Sequence, residues 1–188
     1  MAENGIYAKS ILSKKISLLI TEIGENIKEN LESKIRSSVE GKCIAEGFIK
    51  PGSVRLSSHS SGNINSEYID FQTIFECLIC HPVEGMTIEC LSKTITKAGV
   101  HAQVVDSDGA VPLTIFIARD HHNTNRNFNS IKENSNVTVK VVGVRYELND
   151  SYICVLGKLV EIVKPKIKIG EKAEVEVEVE VDSDSDSD

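Results

Sequence analysis

The stretch from Phe71 to Gly99, with the strand that leads into it, constrains this chain more than any other. Ile69, Phe71, Thr73, Phe75, Cys77 and Ile79 occupy every second position, and an extended strand places such side chains on one face. His81-Pro82 then ends the strand, because proline has no N–H to give a ladder. Gly85 and Met86 open a new alternation that reaches Ile95 and closes in a Lys97-Ala98-Gly99 turn. Two sheet-containing units, joined near Pro82 without a flexible linker, are expected.

The second unit reads as five short β runs: Met86 to Ile95, Gly99 to Val105, Leu113 to Ala118, Val137 to Tyr146 and Tyr152 to Val163. A polar stretch, Arg119 to Asn134, separates the third from the fourth, and Asn123 to Ser135 reads as a long loop. This pattern predicts a small all-β barrel, although a sandwich gives similar alternation. In the first unit, Tyr7 to Ile20 predicts a strand and a turn. Thr21 to Ser38 predicts a helix with Thr21 as its N-cap, because Ile23, Ile27, Leu31, Ile35 and Val39 recur every fourth residue and form one apolar stripe. Val54 to Ser60 and Tyr68 to Cys80 predict a hairpin around Ser61-Gly62-Asn63. The fold class is α+β.

The 188 residues allow two domains of ordinary size. The N-terminus lacks an apolar signal core and no apolar run is long enough to span a membrane, so the reading is an unsecreted protein without a membrane partner. The net charge of −7 belongs to the C-terminus: residues 171–188 hold nine acidic residues and one Lys, a net −8, which leaves residues 1–170 near +1. The Glu-Val alternation there has strand periodicity, but like charges on one face repel, so a disordered acidic tail (164–188) is expected. Ser183, Ser185 and Ser187 sit between Asp residues, as acidic-directed kinase sites do.

Cys77-x-x-Cys80-His81 invites a zinc reading, but there is no second close Cys pair among the five cysteines. Cys77 and Cys80 are also an odd number apart on a strand, so they face opposite ways. Buried thiols are expected, with no metal and no cofactor. His121 and His122 have no carboxylate or Cys cluster at supporting spacing. There is no phosphate-binding loop, nucleophile elbow or pair of catalytic carboxylates, and the chain is read as non-catalytic.

The runs VEGMTIECLSKTITKAGVHAQV, PLTIFIARDHH and NVTVKVVGVRYELNDSYICVLGKL resemble the S-one type of RNA-binding OB domain. Ahead of them, Val39-Glu40-Gly41, Gly47-Phe48-Ile49 and Cys80-His81-Pro82-Val83-Glu84-Gly85 stand in the order seen in the tip domain of the stalk subunit of multisubunit RNA polymerases. That is the seventh-subunit family of eukaryotic enzymes, called E-prime in archaea. The resemblance spans roughly residues 6–163 and rests on the order of the whole set.

It implies a helix-on-antiparallel-sheet tip domain (1–82) that docks on the polymerase core, and a five-stranded OB barrel (83–163) that contacts nascent single-stranded RNA. The docking residues would be Gly47, Phe48, Ile49, Lys50 and Pro51, with Phe48 and Ile49 exposed on a tip loop. RNA would lie across the second and third barrel strands, near Lys93, Lys97, His101, Arg119, His121 and His122. Where many such domains carry an aromatic after the Gly of the second strand, this chain has Val100, which is expected to remove a base-stacking platform. Residues 85–163 hold eight basic and eight acidic residues, so RNA contact is expected to be weak and salt-sensitive.

The family also implies polymerase core subunits and a second small stalk subunit as partners. Its location follows the polymerase: the nucleus in a eukaryote, or the host cytoplasm, virus factory or virion for a viral enzyme. The abundance of Ile, Asn and Lys is that of an AT-rich genome, such as a large DNA virus. A free-standing OB protein of translation or RNA decay is the alternative.

Overall fold

The computed structural model describes residues 5–122 and 128–162. The acidic tail and Arg126 of the Asn-rich stretch lie outside them.

The first unit is a sheet with one helix on it. β1 (Tyr7–Leu19) pairs antiparallel along its whole length with β6 (Tyr68–Cys80), from Tyr7 opposite Cys80 to Leu19 opposite Tyr68. The other side of β6 carries β3 (Gly47–Ile49), β4 (Arg55–His59) and β5 (Asn63–Asn65), and β2 (Cys43–Ile44) pairs with β3. α1 (Ile27–Val39) buries Leu31, Ile35 and Val39 against Ile16, Leu18, Phe71, Phe75, Cys77 and Ile79. These are the helix stripe and the strand face expected from their periodicities.

Two expectations need correction. The helix begins at Ile27, not Thr21: Ile20–Glu22 form a 3-10 turn, and Ile23 is extended. Gly24 follows, where a helix interior is costly, and Asn30 Nδ2 ties the new helix back to Glu22 O at 2.8 Å. The hairpin does not turn at Ser61-Gly62-Asn63 either. β5 resumes pairing with β6 at Asn63, and the reversal falls at Ser66, which has φ 58°. Gly62 instead lies against Phe71, and a Cβ there would come within 2.9 Å of the ring.

The second unit is a closed five-stranded barrel. β7 (Thr87–Ile95), β8 (Gly99–Val104) and β9 (Leu113–Ala118) form an antiparallel meander. β11 (Ile153–Ile162) runs parallel to β9, and β10 (Asn136–Arg145) pairs antiparallel with both β11 and β7, closing the ring. This barrel fits an OB fold, and each strand lies within a residue or two of its sequence reading. Short 3-10 turns at Arg119–His122 and Phe128–Ser130 occupy part of the polar stretch. No helix among the described residues is long and apolar enough to cross a membrane.

The two units meet through buried side chains. Cys43, Phe48 and Cys80 leave the first unit's core and pack with the barrel's. Tyr7 Oη donates to Asp106 Oδ2 at 2.9 Å, and Lys50 Nζ lies 3.0 Å from Asp108 Oδ2. Burial and then the Asp106 carboxylate hold the Tyr7 hydroxyl protonated far above its usual range. On the other side, Cys43 N–H donates to Asp150 O and Asn149 N–H donates to Cys43 O, so the β10–β11 loop extends the β2 edge.

Candidate nucleic-acid interface and tip segment

On β9, Leu113, Ile115 and Ile117 point into the barrel, which leaves Thr114, Phe116 and Ala118 on its outer side. Gln103 and His101 of β8 stand opposite Thr114 and Phe116. The His101 and Phe116 rings lie 4.8 Å apart at 44°. Gly99 makes room for Phe116: a Cβ there would come within 2.9 Å of the ring and 2.3 Å of Ile117 O. Thr94 of β7 and Leu156 of β11 are the register neighbours of His101 and Phe116. The result is a half-open aromatic pair across the second and third barrel strands, the kind of surface on which an unpaired base can stack.

Val100, by contrast, is 0% exposed and points inward opposite Ile117. An aromatic at that position would belong to the barrel's core, so the expected loss of a stacking platform does not follow. Phe116 was the residue missed, although strand alternation alone places it outward.

The basic residues divide. Lys93 is exposed at a bulge in β7, between Ser92 and Thr94. The buried Ser92 hydroxyl fixes that bulge, donating to Lys132 O at 2.6 Å and accepting from Ser135 N–H at 2.9 Å. Lys97 is exposed on the β7–β8 turn, and His101 and His121 are also exposed. Arg119 already spends much of its guanidinium on the protein: Nε donates to Lys97 O at 2.9 Å, Nη1 to Asn129 Oδ1 at 3.2 Å, and the group sits 5.2 Å over Phe128. It anchors the turn that presents Lys97.

His122 departs from its expected role. It is 4% exposed and stacked on Phe128, and its Nε2 accepts from Leu159 N–H at 2.9 Å. Nδ1 must then carry the proton and donate to Ala118 O, 2.8 Å away. Both ring nitrogens are thus used inside the protein, and His122 cannot reach RNA without leaving the fold.

The tip segment also departs from expectation. Phe48 and Ile49 are 2% and 0% exposed, because they form β3 between β2 and β6 and not a loop. Gly47, with φ 133°, sits against Cys80 O where a Cβ would lie 2.4 Å away. Lys50 is buried as well, and Pro51-Gly52 are what the segment exposes. That turn is tightly held: Lys50 N–H donates to Leu78 O, and the Ser53 hydroxyl bridges Lys50 O and Leu78 N–H.

The cysteines separate as the alternation predicts. Cys77 enters the helix-side core and Cys80 the barrel-side core. Burial pushes the thiol of Cys77 up to about 11 and that of Cys80 up to about 12.

No family profile matches the chain. Individual proteins do. It is 25% identical over 172 residues to a protein of Acanthamoeba polyphaga mimivirus named as a DNA-directed RNA polymerase subunit, covering 86% of each chain. It is 23% identical over 152 residues to subunit RPB7 of DNA-directed RNA polymerase II from Glycine max, covering 76% of this chain and 86% of that one. A third match, 22% identical over 153 residues, is subunit 7 of the Arabidopsis thaliana polymerase II. The resemblance to the seventh-subunit family therefore holds along most of the chain, and a viral relative stands beside the plant ones.

Proposed function

We propose that this chain is a non-catalytic stalk subunit of a DNA-directed RNA polymerase, docking on the core through its first unit (1–82) and contacting nascent RNA through an S-one type OB barrel (83–163). The observation that carries this reading is the extent of the similarity. The matches to polymerase subunits cover 84–86% of the relatives' own lengths, too much for a barrel alone. A partner OB domain borrowed for another purpose would match over the barrel and stop.

Docking in this reading uses the exposed Pro51-Gly52 turn. Gly47, Phe48, Ile49 and Lys50 hold that turn from beneath and are not themselves the wedge. RNA contact uses Phe116 and His101 for stacking, with Lys93, Lys97 and His121 supplying charge around them. Arg119 contributes as the anchor of the Lys97 turn. A second small stalk subunit as partner, and a location that follows the polymerase, belong to the same proposal.

Affinity purification of the tagged chain from its native cell, followed by mass spectrometry, tests it. Recovery of the large polymerase subunits in stoichiometric amount is expected. Recovery of RNA and ribosomal or decay factors without polymerase would replace the proposal with a free-standing RNA-binding protein.

A further inference from the structure

β1 is a 13-residue strand that pairs with β6 on one side, and among the described residues nothing pairs with its other side. A long open edge exposes a row of backbone donors and acceptors and invites another strand. Beside this edge runs a groove of about 380 Å³, lined by Leu12, Phe75, Val39 and Ile44 together with the charged Lys14 and Glu46. On the opposite face of the strand Ile11 is 65% exposed. The edge is also basic. Lys9 and Lys15 each hold one carboxylate of β6, Glu76 and Asp70, yet their side chains remain 69% and 64% exposed. Among the described residues, Lys14 donates to the Ser38 hydroxyl and Lys42 to the Ser37 carbonyl, both neutral partners. Burial, and then the nearness of Lys42, lower the Lys14 ammonium's proton affinity, which marks a local excess of positive charge.

The sequence contains a segment with the complementary pattern. Residues 174–181 read Glu-Val-Glu-Val-Glu-Val-Glu-Val. Read as a strand, this places every Val on one face and every Glu on the other. We propose that this segment of the chain's own C-terminus docks along the open edge of β1, with its valines over the Leu12–Phe75 groove and its glutamates beside Lys9 and Lys15. Lys9 and Lys15 are six residues apart on the same face, and so are Glu174 and Glu180, so one parallel register brings a glutamate to each. The exposed lysines reduce the like-charge repulsion that disfavours such a strand alone, with the glutamates sharing them with Glu76 and Asp70.

The reach is sufficient. β11 starts beside the joint between the units and ends at Ile162, ten residues and about 33 Å away. Residues 163–173 span up to about 36 Å, enough to return to the joint, where β1 begins at Tyr7 opposite Cys80. The segment would then run parallel to β1, an addition of the kind extended peptides make to sheet edges.

Hydrogen exchange on the full chain and on a chain ending at residue 170 tests this. The β1 amides that point to the open edge are expected to exchange at least about tenfold more slowly in the full chain. The protection should fade as salt rises past about 0.1 M, where the screening length is about 10 Å. A full-length variant with Val175, Val177, Val179 and Val181 changed to Asn keeps the charge and removes the apolar face, and it should exchange like the shortened chain. Equal exchange in the full and shortened chains would overturn the proposal. Protection that grows with protein concentration would overturn it too, because the occupant would then be a second copy. So would protection that appears only when polymerase subunits are added, because the occupant would then be a partner's strand. None of these results depends on whether the chain co-purifies with polymerase.

Discussion

Phe48→Ala tests whether this segment is a wedge or a keystone. Phe48 is 2% exposed, pairs with Cys43 and Cys80 across β2–β3–β6, and packs in the core shared with the barrel. Truncating a buried Phe to Ala costs about 3–5 kcal/mol, combining the lost transfer energy with the cavity left behind. For a chain of this size each kcal/mol lowers Tm by about 2–4 °C, so a fall on the order of 6–20 °C is expected. Against a typical total of about 5–15 kcal/mol, the variant folds but is fragile. Urea denaturation of the isolated subunit measures it: the midpoint should fall while the slope, set by the surface exposed on unfolding, stays the same. An exposed wedge would behave in the opposite way. If Phe48→Ala changed stability by less than about 1 kcal/mol, as surface substitutions usually do, and still lost polymerase association, the buried placement of Phe48 would be wrong. Pro51, exposed on the turn, supplies the contrast: Pro51→Asp should leave the denaturation midpoint nearly unchanged and weaken association with the core.

Other outcomes follow from the same geometry. Phe116→Ala should weaken binding of a single-stranded RNA by the loss of about one stacked base, roughly 1–3 kcal/mol, without altering the dependence on salt, and a filter-binding series at several salt concentrations would show an unchanged slope. Lys93→Glu with Lys97→Glu should instead flatten that slope by about 1–2 units, since two phosphate contacts are lost at about 0.7 each for a single strand; an unchanged slope would remove both residues from the RNA path. Asp70, held down to about 2 by hydrogen bonds from Lys15, Ser17 and Asn65, contributes stability that is present above the ordinary carboxylate value and lost as pH falls through about 2; a carboxyl NMR titration should find the midpoint there and see it rise in Lys15→Ala. A thiol reagent at pH 8 should label the exposed Cys154 quickly, and Cys43, Cys77, Cys80 and Cys90 only on unfolding, because all four are buried with their thiols pushed up to about 11 or 12; rapid labelling of a second thiol would contradict the burial.

Periodic elements were legible in the sequence because their signal repeats. β6 announces itself over six alternating positions, and the three buried helix residues Leu31, Ile35 and Val39 lie at four-residue spacing. The helix start was not legible, because Ile23 continues the stripe while Gly24 and the 3-10 turn before it break the backbone. A side-chain pattern does not report a backbone interruption. The tip segment failed for a related reason. Gly47-Phe48-Ile49 has only three residues, too few to alternate, and its burial comes from long-range pairing with Cys80 and Ile79 that no local pattern encodes. His122 is similar: its partners Ala118 and Leu159 are 4 and 37 residues away, and only the first distance is readable along the chain. Phe116 could have been found, since it alternates outward between Ile115 and Ile117. Gly99, directly before the inward-facing Val100, leaves the space beneath the Phe116 ring.

The joint between the two units adds a mechanical consequence to the proposed function. Its contacts come from different places in the sequence: Tyr7 at the start of β1, Cys43 on β2, Phe48 and Lys50 around β3, and Cys80 at the end of β6. Each reaches the barrel through a separate partner, among them Asp106, Asp108 and the Asn149–Asp150 backbone. A hinge would need a few residues free to absorb a change in backbone angles, but Pro82 between the units is buried, Cys80 before it is paired in β6, and Gly85 N–H beyond it donates to Val141 O. A swing of the barrel while the first unit stays fixed would break these part-buried bonds and pull Cys43, Phe48 and Cys80 out of the shared core. In a stalk docked through the first unit, the direction of the Phe116–His101 face would be set by docking alone. Weak RNA contact then suffices, because a correctly aimed face raises the local concentration of transcript without any high intrinsic affinity. Loosening the joint with Tyr7→Phe and Lys50→Met together should leave RNA affinity of the isolated subunit intact while reducing crosslinking of transcript to the barrel in the assembled polymerase. Undiminished crosslinking in that variant would show that the joint does not aim the face.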